Sequence, residues 1–146
     1  MSQARSARSF GAVGWATIAA LLIASSFLPA GAQTTAGVLA AQSTTELGVV
    51  IKVTPKAIGP SDHQWEFSVV LDTHSAELTD DLAWSARLVT EDGRSFEPTS
   101  WTGAAPGGHH REGILVFDAP TPRPSAIELR IVRPGESAPR TFRWQL

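Results

Sequence analysis

The chain has 146 residues, no cysteine and a formal net charge of −2. Without cysteine it can build neither a disulfide framework nor a thiolate metal site, so its fold must rest on burial alone. Its twelve basic residues are scattered among fourteen acidic ones, which argues against nucleic acid or an anionic membrane surface as a partner.

The first element is an export signal. Arg5 and Arg8 stand in an opening stretch without an acid, an apolar run extends from Phe10 to Leu28, Pro29 breaks it, and Ala30-Gly31-Ala32 follows. This is the order of a signal peptide with a small-residue cleavage site. The pattern predicts a signal-peptide helix over residues 1–32, removed to leave Gln33 at the new N-terminus of a secreted or periplasmic protein. The alternative is the same run kept as an anchor, since it is about long enough to cross a thin bilayer. Cleavage takes Arg5 and Arg8 from the twelve basic residues and leaves ten against fourteen acidic ones. About 114 residues then remain, enough for one domain with one core.

Residues 33–45, an uncharged stretch rich in Ala, Thr and Gln, read as a flexible lead. From Glu46 the apolar residues recur with period two, interrupted by turn formers every ten residues or so, which predicts a β-domain over 46–146. The expected strands are Leu47–Thr54, Gln64–Asp72, Trp84–Thr90, Ser95–Trp101, Gly113–Asp118, Ala126–Val132 and Thr141–Leu146. The inward positions include Val49, Ile51 and Val53 on the first strand and Trp65, Phe67, Val69 and Leu71 on the second. Trp84, Ala86 and Leu88 follow on the third, Ile127, Leu129 and Ile131 on the sixth, and Phe142, Trp144 and Leu146 on the seventh. Asp92-Gly93 marks a hairpin turn. Pro98 weakens the fourth strand and, with the first, makes it a candidate edge. The fifth, an unbroken apolar run, reads as covered on both faces. Residues 75–82 carry the one helical signal, with Asp80-Asp81 as a solvated helix-start pair or a weak Ca²⁺ site. The expected fold is all-β: a seven-stranded immunoglobulin/fibronectin-like β-sandwich preceded by the signal-peptide helix.

Consecutive strands that reverse direction sort the loops into two poles. The second, fourth and sixth connections, holding Asp72 to Ser75, Gly103 to Glu112 and Arg133 to Glu136, meet at one end. His74, His109 and His110 gather there and His63 lies at the other. Several imidazoles with the Asp72 carboxylate form a donor set suited to copper or zinc. Adjacent His109 and His110 point to opposite faces of an extended chain, and Arg111 beside them, expected to pair with Glu112, Glu136 or Asp72, disfavours a second cation. The alternative is a clasp in which the histidines hydrogen-bond loop backbone. Trp65 and Trp101 read as core rather than as a sugar platform. Ser75 has no strained Gly-x-Ser-x-Gly elbow and no oriented partner for His74, so no enzyme is expected.

The segments Leu71-Asp72-Thr73-His74-Ser75 and Gly107-Gly108-His109-His110-Arg111, with Trp101 and Gly103 between them, resemble a group of uncharacterised bacterial exported β-sandwich domains. The resemblance covers about residues 49–146. It implies that the two segments belong together, and it carries no activity.

Two functional expectations follow. In the first, an exported binding domain takes copper or zinc through Asp72, His74, His109 and His110. In the second, the domain is a structural or adaptor module of the cell envelope whose histidine pole is a clasp. The partner is a metal ion or an envelope protein, with no nucleic acid and, once the signal is cleaved, no membrane.

Overall fold

A computed structural model of the chain describes residues 39–146. The expected signal peptide, its cleavage site and the first part of the lead lie outside the described residues. The described chain forms nine strands and one helical turn: β1 Gln42–Glu46, β2 Val49–Ala57, β3 Gln64–Thr73, α1 Leu82–Ser85, β4 Ala86–Thr90, β5 Ser95–Phe96, β6 Ser100–Gly103, β7 His110–Asp118, β8 Ala126–Ile131 and β9 Arg140–Gln145. All pairings are antiparallel. They make one sheet of order β1-β2-β3-β7-β6 and another of order β5-β4-β8-β9. This is the all-β, sandwich-like arrangement that the period-two pattern predicts.

Alternation places the core between the sheets. Val49, Ile51, Val53, Trp65, Phe67, Val69, Leu71, Leu115 and Phe117 from the larger sheet are buried, as are Ala86, Leu88, Ile127, Leu129, Ile131, Phe142 and Trp144 from the smaller one. Phe67 of β3 lies 5.7 Å from Trp144 of β9 and 5.7 Å, edge to face, from Phe117 of β7. Full burial of each such large side chain stabilises by roughly 1.5–3 kcal/mol.

The count of seven strands becomes nine for two reasons. Gln42–Thr45, assigned to the flexible lead, pair with β2 in the register Gln42↔Val53 to Glu46↔Val49. The strand expected at Leu47–Thr54 is therefore covered by β1 and is not an edge. The strand expected at Ser95–Trp101 is divided around Pro98: β5 pairs with β4 in one sheet and β6 with β7 in the other. Proline cannot donate to a ladder, so the chain leaves one sheet there and enters the other. Both halves lie at sheet edges.

Two further expectations are corrected. Trp84 is not inward; it is 74% exposed. The Asp81 side chain accepts a hydrogen bond from Ala83 N at 3.1 Å and starts α1, Leu82 takes the buried position, and the helical turn carries Trp84 outward. The run Gly113–Asp118 belongs to a longer strand, β7, that alternates. Leu115 and Phe117 are buried while Ile114 and Val116 stay half-buried on the outer face.

The start of the described chain also closes the sandwich along one side. The Gln42 side chain behaves as a piece of strand against β9: Arg143 N donates to its Oε1 at 3.1 Å and its Nε2 donates to Arg143 O. Beside it, Trp144 Nε1 donates to Ala40 O at 2.8 Å. One short segment thus pairs with β2 by backbone and with β9 by side chain.

Candidate functional site

At one end of the sandwich meet the β1–β2 turn, the exit of β3, the entry of β7 and the segments that flank β4, β8 and β9. Three arginines organise this pole, and each extends the inward stripe of its own strand. Arg111 shares its parity with Leu115 and Phe117, Arg133 with Leu129 and Ile131, and Arg140 with Phe142 and Trp144. All three are buried, Arg111 and Arg140 at 1% exposure. Burying a guanidinium is costly unless its donors find acceptors, and the polar loops here supply them for all three except Arg111 Nε, which is left without a partner.

Arg111 uses backbone. Its Nη1 donates to Asp80 O at 2.6 Å and Leu78 O at 3.2 Å, and its Nη2 to Ala104 O at 3.1 Å. The expected pairing with Glu112, Glu136 or Asp72 is replaced by these three carbonyls, because Arg111 points inward while its neighbours on β7 point out. The same two loops are tied reciprocally: Leu78 N donates to Gly108 O at 2.9 Å and Gly107 N to Leu78 O at 2.8 Å. Gly107 and Gly108 both have positive φ, +124° and +71°, which is why glycine stands at this bend. Trp101 covers the arrangement, with the Arg111 guanidinium carbon 6.0 Å from its ring centre. The indole has room because Gly103 and Gly113 face each other across β6 and β7. A Cβ on Gly113 would lie 2.6 Å from the Trp101 ring and from Gly103 Cα.

Arg133 and Arg140 use carboxylates. Arg133 pairs with Asp80 at two points and with Glu136 Oε1 at 2.9 Å; Arg140 holds Glu136 at 2.5 and 2.7 Å and donates to Glu46 O and Val49 O. Asp80 is therefore not part of a solvated pair; it is 1% exposed, and Asp81 alone caps the helical turn. Hydrogen bonds from Arg140, opposed by burial and helped by Arg133, hold the Glu136 carboxyl below its ordinary value. Burial works to lower the Arg133 pKa, but the contacts with Asp80 and Glu136 raise it.

The candidate ligands sit on the outside of this frame. The register places Asp72 opposite His110, and His110 Nδ1 lies 2.5 Å from Asp72 Oδ1, with Glu112 Oε2 3.9 Å from Nε2. The hydrogen bond to Asp72 raises the His110 pKa above its ordinary value against a smaller opposing desolvation, and the nearby charges of Asp72 and Glu112 raise it further. His74 is exposed on the connection after β3, and His109 engages by its backbone, its carbonyl accepting from Thr73 N at 2.9 Å. The structure thus joins Asp72 with His110 but brings neither His74 nor His109 to that pair. Among the described residues, no three or more His, Cys, Asp or Glu side chains form a group that could hold a metal ion.

Sequence reasoning named the pole and missed its frame. Starting the fifth strand at Gly113 and the seventh at Thr141 dropped Arg111 and Arg140 from the inward stripe that their parity with Phe117 and Trp144 would have revealed. Also missed is an apolar groove of about 550 Å³ beside α1, lined by Thr79, Asp81, Trp84, Arg87, Val132 and Pro134 among others.

At the opposite pole, Arg123 donates to Ile58 O and Gly59 O and lies 5.1 Å from the ring centre of Trp65, which is core. No family model, curated protein or solved structure matches the chain.

Proposed function

We propose that this domain is an exported structural or adaptor module of the cell envelope, one that acts by presenting a rigid pole to a partner and not by catalysis. The observation that carries the reading is the Arg111 clasp: one buried guanidinium holds three carbonyls from two loops, and those loops are bonded to each other through Leu78, Gly107 and Gly108. A pole fixed this way holds an interaction surface at little entropic cost on binding. The clasp expected from histidine is thus supplied mainly by arginine, with His110 and Asp72 as an outer fastening.

On this proposal the domain also follows an immunoglobulin-like plan. The order β2-β3-β7-β6 follows the A-B-E-D sheet of an immunoglobulin-like domain, and β4-β8-β9 follows C-F-G, with β1 and β5 as added edges. Domains of that plan commonly use end loops for recognition.

The copper or zinc reading rests on Asp72 and His110 lying together with Glu112 nearby, and one experiment separates the two. Metal-free protein is melted with and without chelator and titrated with Cu²⁺ and Zn²⁺ by calorimetry, alongside His74→Ala and His110→Ala. The adaptor reading expects chelator-insensitive melting and no binding tighter than about micromolar. Micromolar or tighter binding that either substitution abolishes would overturn it in favour of metal handling.

A further inference from the structure

The pole carries an unusual combination of surface groups. The exposed large hydrophobic residues of the described chain are Leu47, at 72%, Trp84, at 74%, and Val132, at 52%, and each lies in a segment that meets this end. Trp84 and Val132 flank the same groove. Leu47 belongs to the turn whose neighbour Glu46 is bonded to Arg140, itself linked through Glu136 to Arg133 in the groove wall.

Leu47 is costly twice. It has φ +45° and is followed by Gly48 at φ +75°, the pair of left-handed residues that a two-residue hairpin asks for, where Asn-Gly is the favourable sequence. A leucine there pays backbone strain and leaves its side chain in water. Trp84 is likewise an indole that contributes little to the core.

The exposed charge of these segments is mainly acidic. Glu46 adjoins Leu47, Asp81 lines the groove and Glu77 is exposed on the same connection, Asp72 and Glu112 are engaged by His110, and Arg111, Arg133 and Arg140 are buried. Arg87, in the groove wall, is tied to Trp84 O, Ala86 O and Glu97. An acidic rim and an open indole face both favour a cation, the second through its ring quadrupole. A second copy would bring acidic rim against acidic rim.

We infer that the pole docks a partner protein through a segment that combines lysine or arginine with large apolar side chains, the apolar groups covering Trp84, Val132 and Leu47 and the cations meeting the acidic rim. This rests on the adaptor reading above and names its partner's chemistry.

The test uses the full chain expressed in an exporting host and a fluorescein-labelled peptide of alternating lysine and leucine, read by anisotropy. Matched glutamate–leucine and serine–leucine peptides serve as controls. Expected are binding of the lysine–leucine peptide alone, weakening with added salt, and a loss of about tenfold or more with Trp84→Ala, whose melting temperature stays at the parent value. Leu47→Asn is expected to raise the melting temperature and weaken binding. Equal binding of a control peptide, undiminished binding by Trp84→Ala, no binding at all, or Trp84-dependent self-association in sedimentation would each overturn the inference. If it fails while melting stays chelator-insensitive, the adaptor reading stands without this partner.

Discussion

Arg133 and Asp80 meet as a two-point ion pair, Nε to Oδ1 at 2.8 Å and Nη2 to Oδ2 at 3.1 Å, with side chains 7% and 0% exposed. A pair this buried contributes less by its presence than its breakage costs, because removing one partner strands the other charge away from water. Asp80→Asn should therefore destabilise by about 3 kcal/mol, at the lower end of that class because Glu136 stays beside Arg133. Urea unfolding measures the loss. Arg133→Met added to Asp80→Asn should recover much of it, and the four-protein cycle gives the coupling.

Arg111 poses a different case, since its acceptors are carbonyls. Arg111→Met would leave Asp80 O without that donor, while Leu78 O keeps Gly107 N and Ala104 O keeps the Trp101 indole N–H. The expected cost is about 2–4 kcal/mol. Lysine should rescue little, because a point ammonium lacks the planar fork that reaches two loops. Amide hydrogen exchange checks where the damage lies: Leu78 and Gly107 should lose protection before the β3–β7 ladder does.

The facing glycines predict a steric effect. Gly113→Ala would press a methyl group into the Trp101 ring and the β6 backbone, where Cβ distances of 2.6–2.7 Å leave no room. Destabilisation of roughly 1–3 kcal/mol is expected, with a change in the near-UV circular dichroism of the displaced indole. Gly93→Ala, where no atom lies within 4 Å but φ is +86°, should instead show only backbone strain.

His110 supplies the pH dependence. Its folded pKa lies above 6.5, so the stability it adds is complete below that value and is lost as pH rises through the folded pKa. The His110 Cε1 proton, followed by NMR, should titrate above the ordinary range in the parent and fall back in Asp72→Asn. The melting temperatures of the two proteins should converge toward alkaline pH. Glu136 acts with the opposite sign. Its folded pKa lies below 4.5, so its contribution is present above 4.5 and fades as acid passes through the lowered value.

Much of the fold was legible because a half-buried strand writes its burial as alternation: Trp65 to Leu71 and Ile127 to Ile131 face inward as expected. Trp84 departs from the alternation that Ala86 and Leu88 follow because Asp81 imposes a helical period on the turn before them. Gln42–Thr45 were illegible for another reason. Their pairing depends on backbone and on one amide side chain, so no apolar pattern announces it. At the pole, reversal of consecutive strands brings the histidine-bearing segments to one end, but only the β3–β7 register, which sets Asp72 opposite His110, makes a side-chain pair. Arg111, Arg133 and Arg140 stand at strand ends, where a charged residue close to Gly or Pro reads as loop. Arg111 and Arg133 reach Asp80 across 31 and 53 residues of chain, a closeness that local sequence does not encode, whereas Glu136 lies only three and four residues from Arg133 and Arg140.

The strand-like amide of Gln42 also decides where the domain begins. A chain trimmed to start at Glu46, the boundary that the apolar pattern suggests, would lose all but the last pairing residue of β1. It would also leave the Trp144 indole N–H without Ala40 O and open the edge of β9 at Arg143. An unguarded edge is a template for other chains. Proteolytic clipping between Leu39 and Glu46 would then leave a sandwich more prone to pair with other chains, so the few residues ahead of the apolar pattern guard against aggregation.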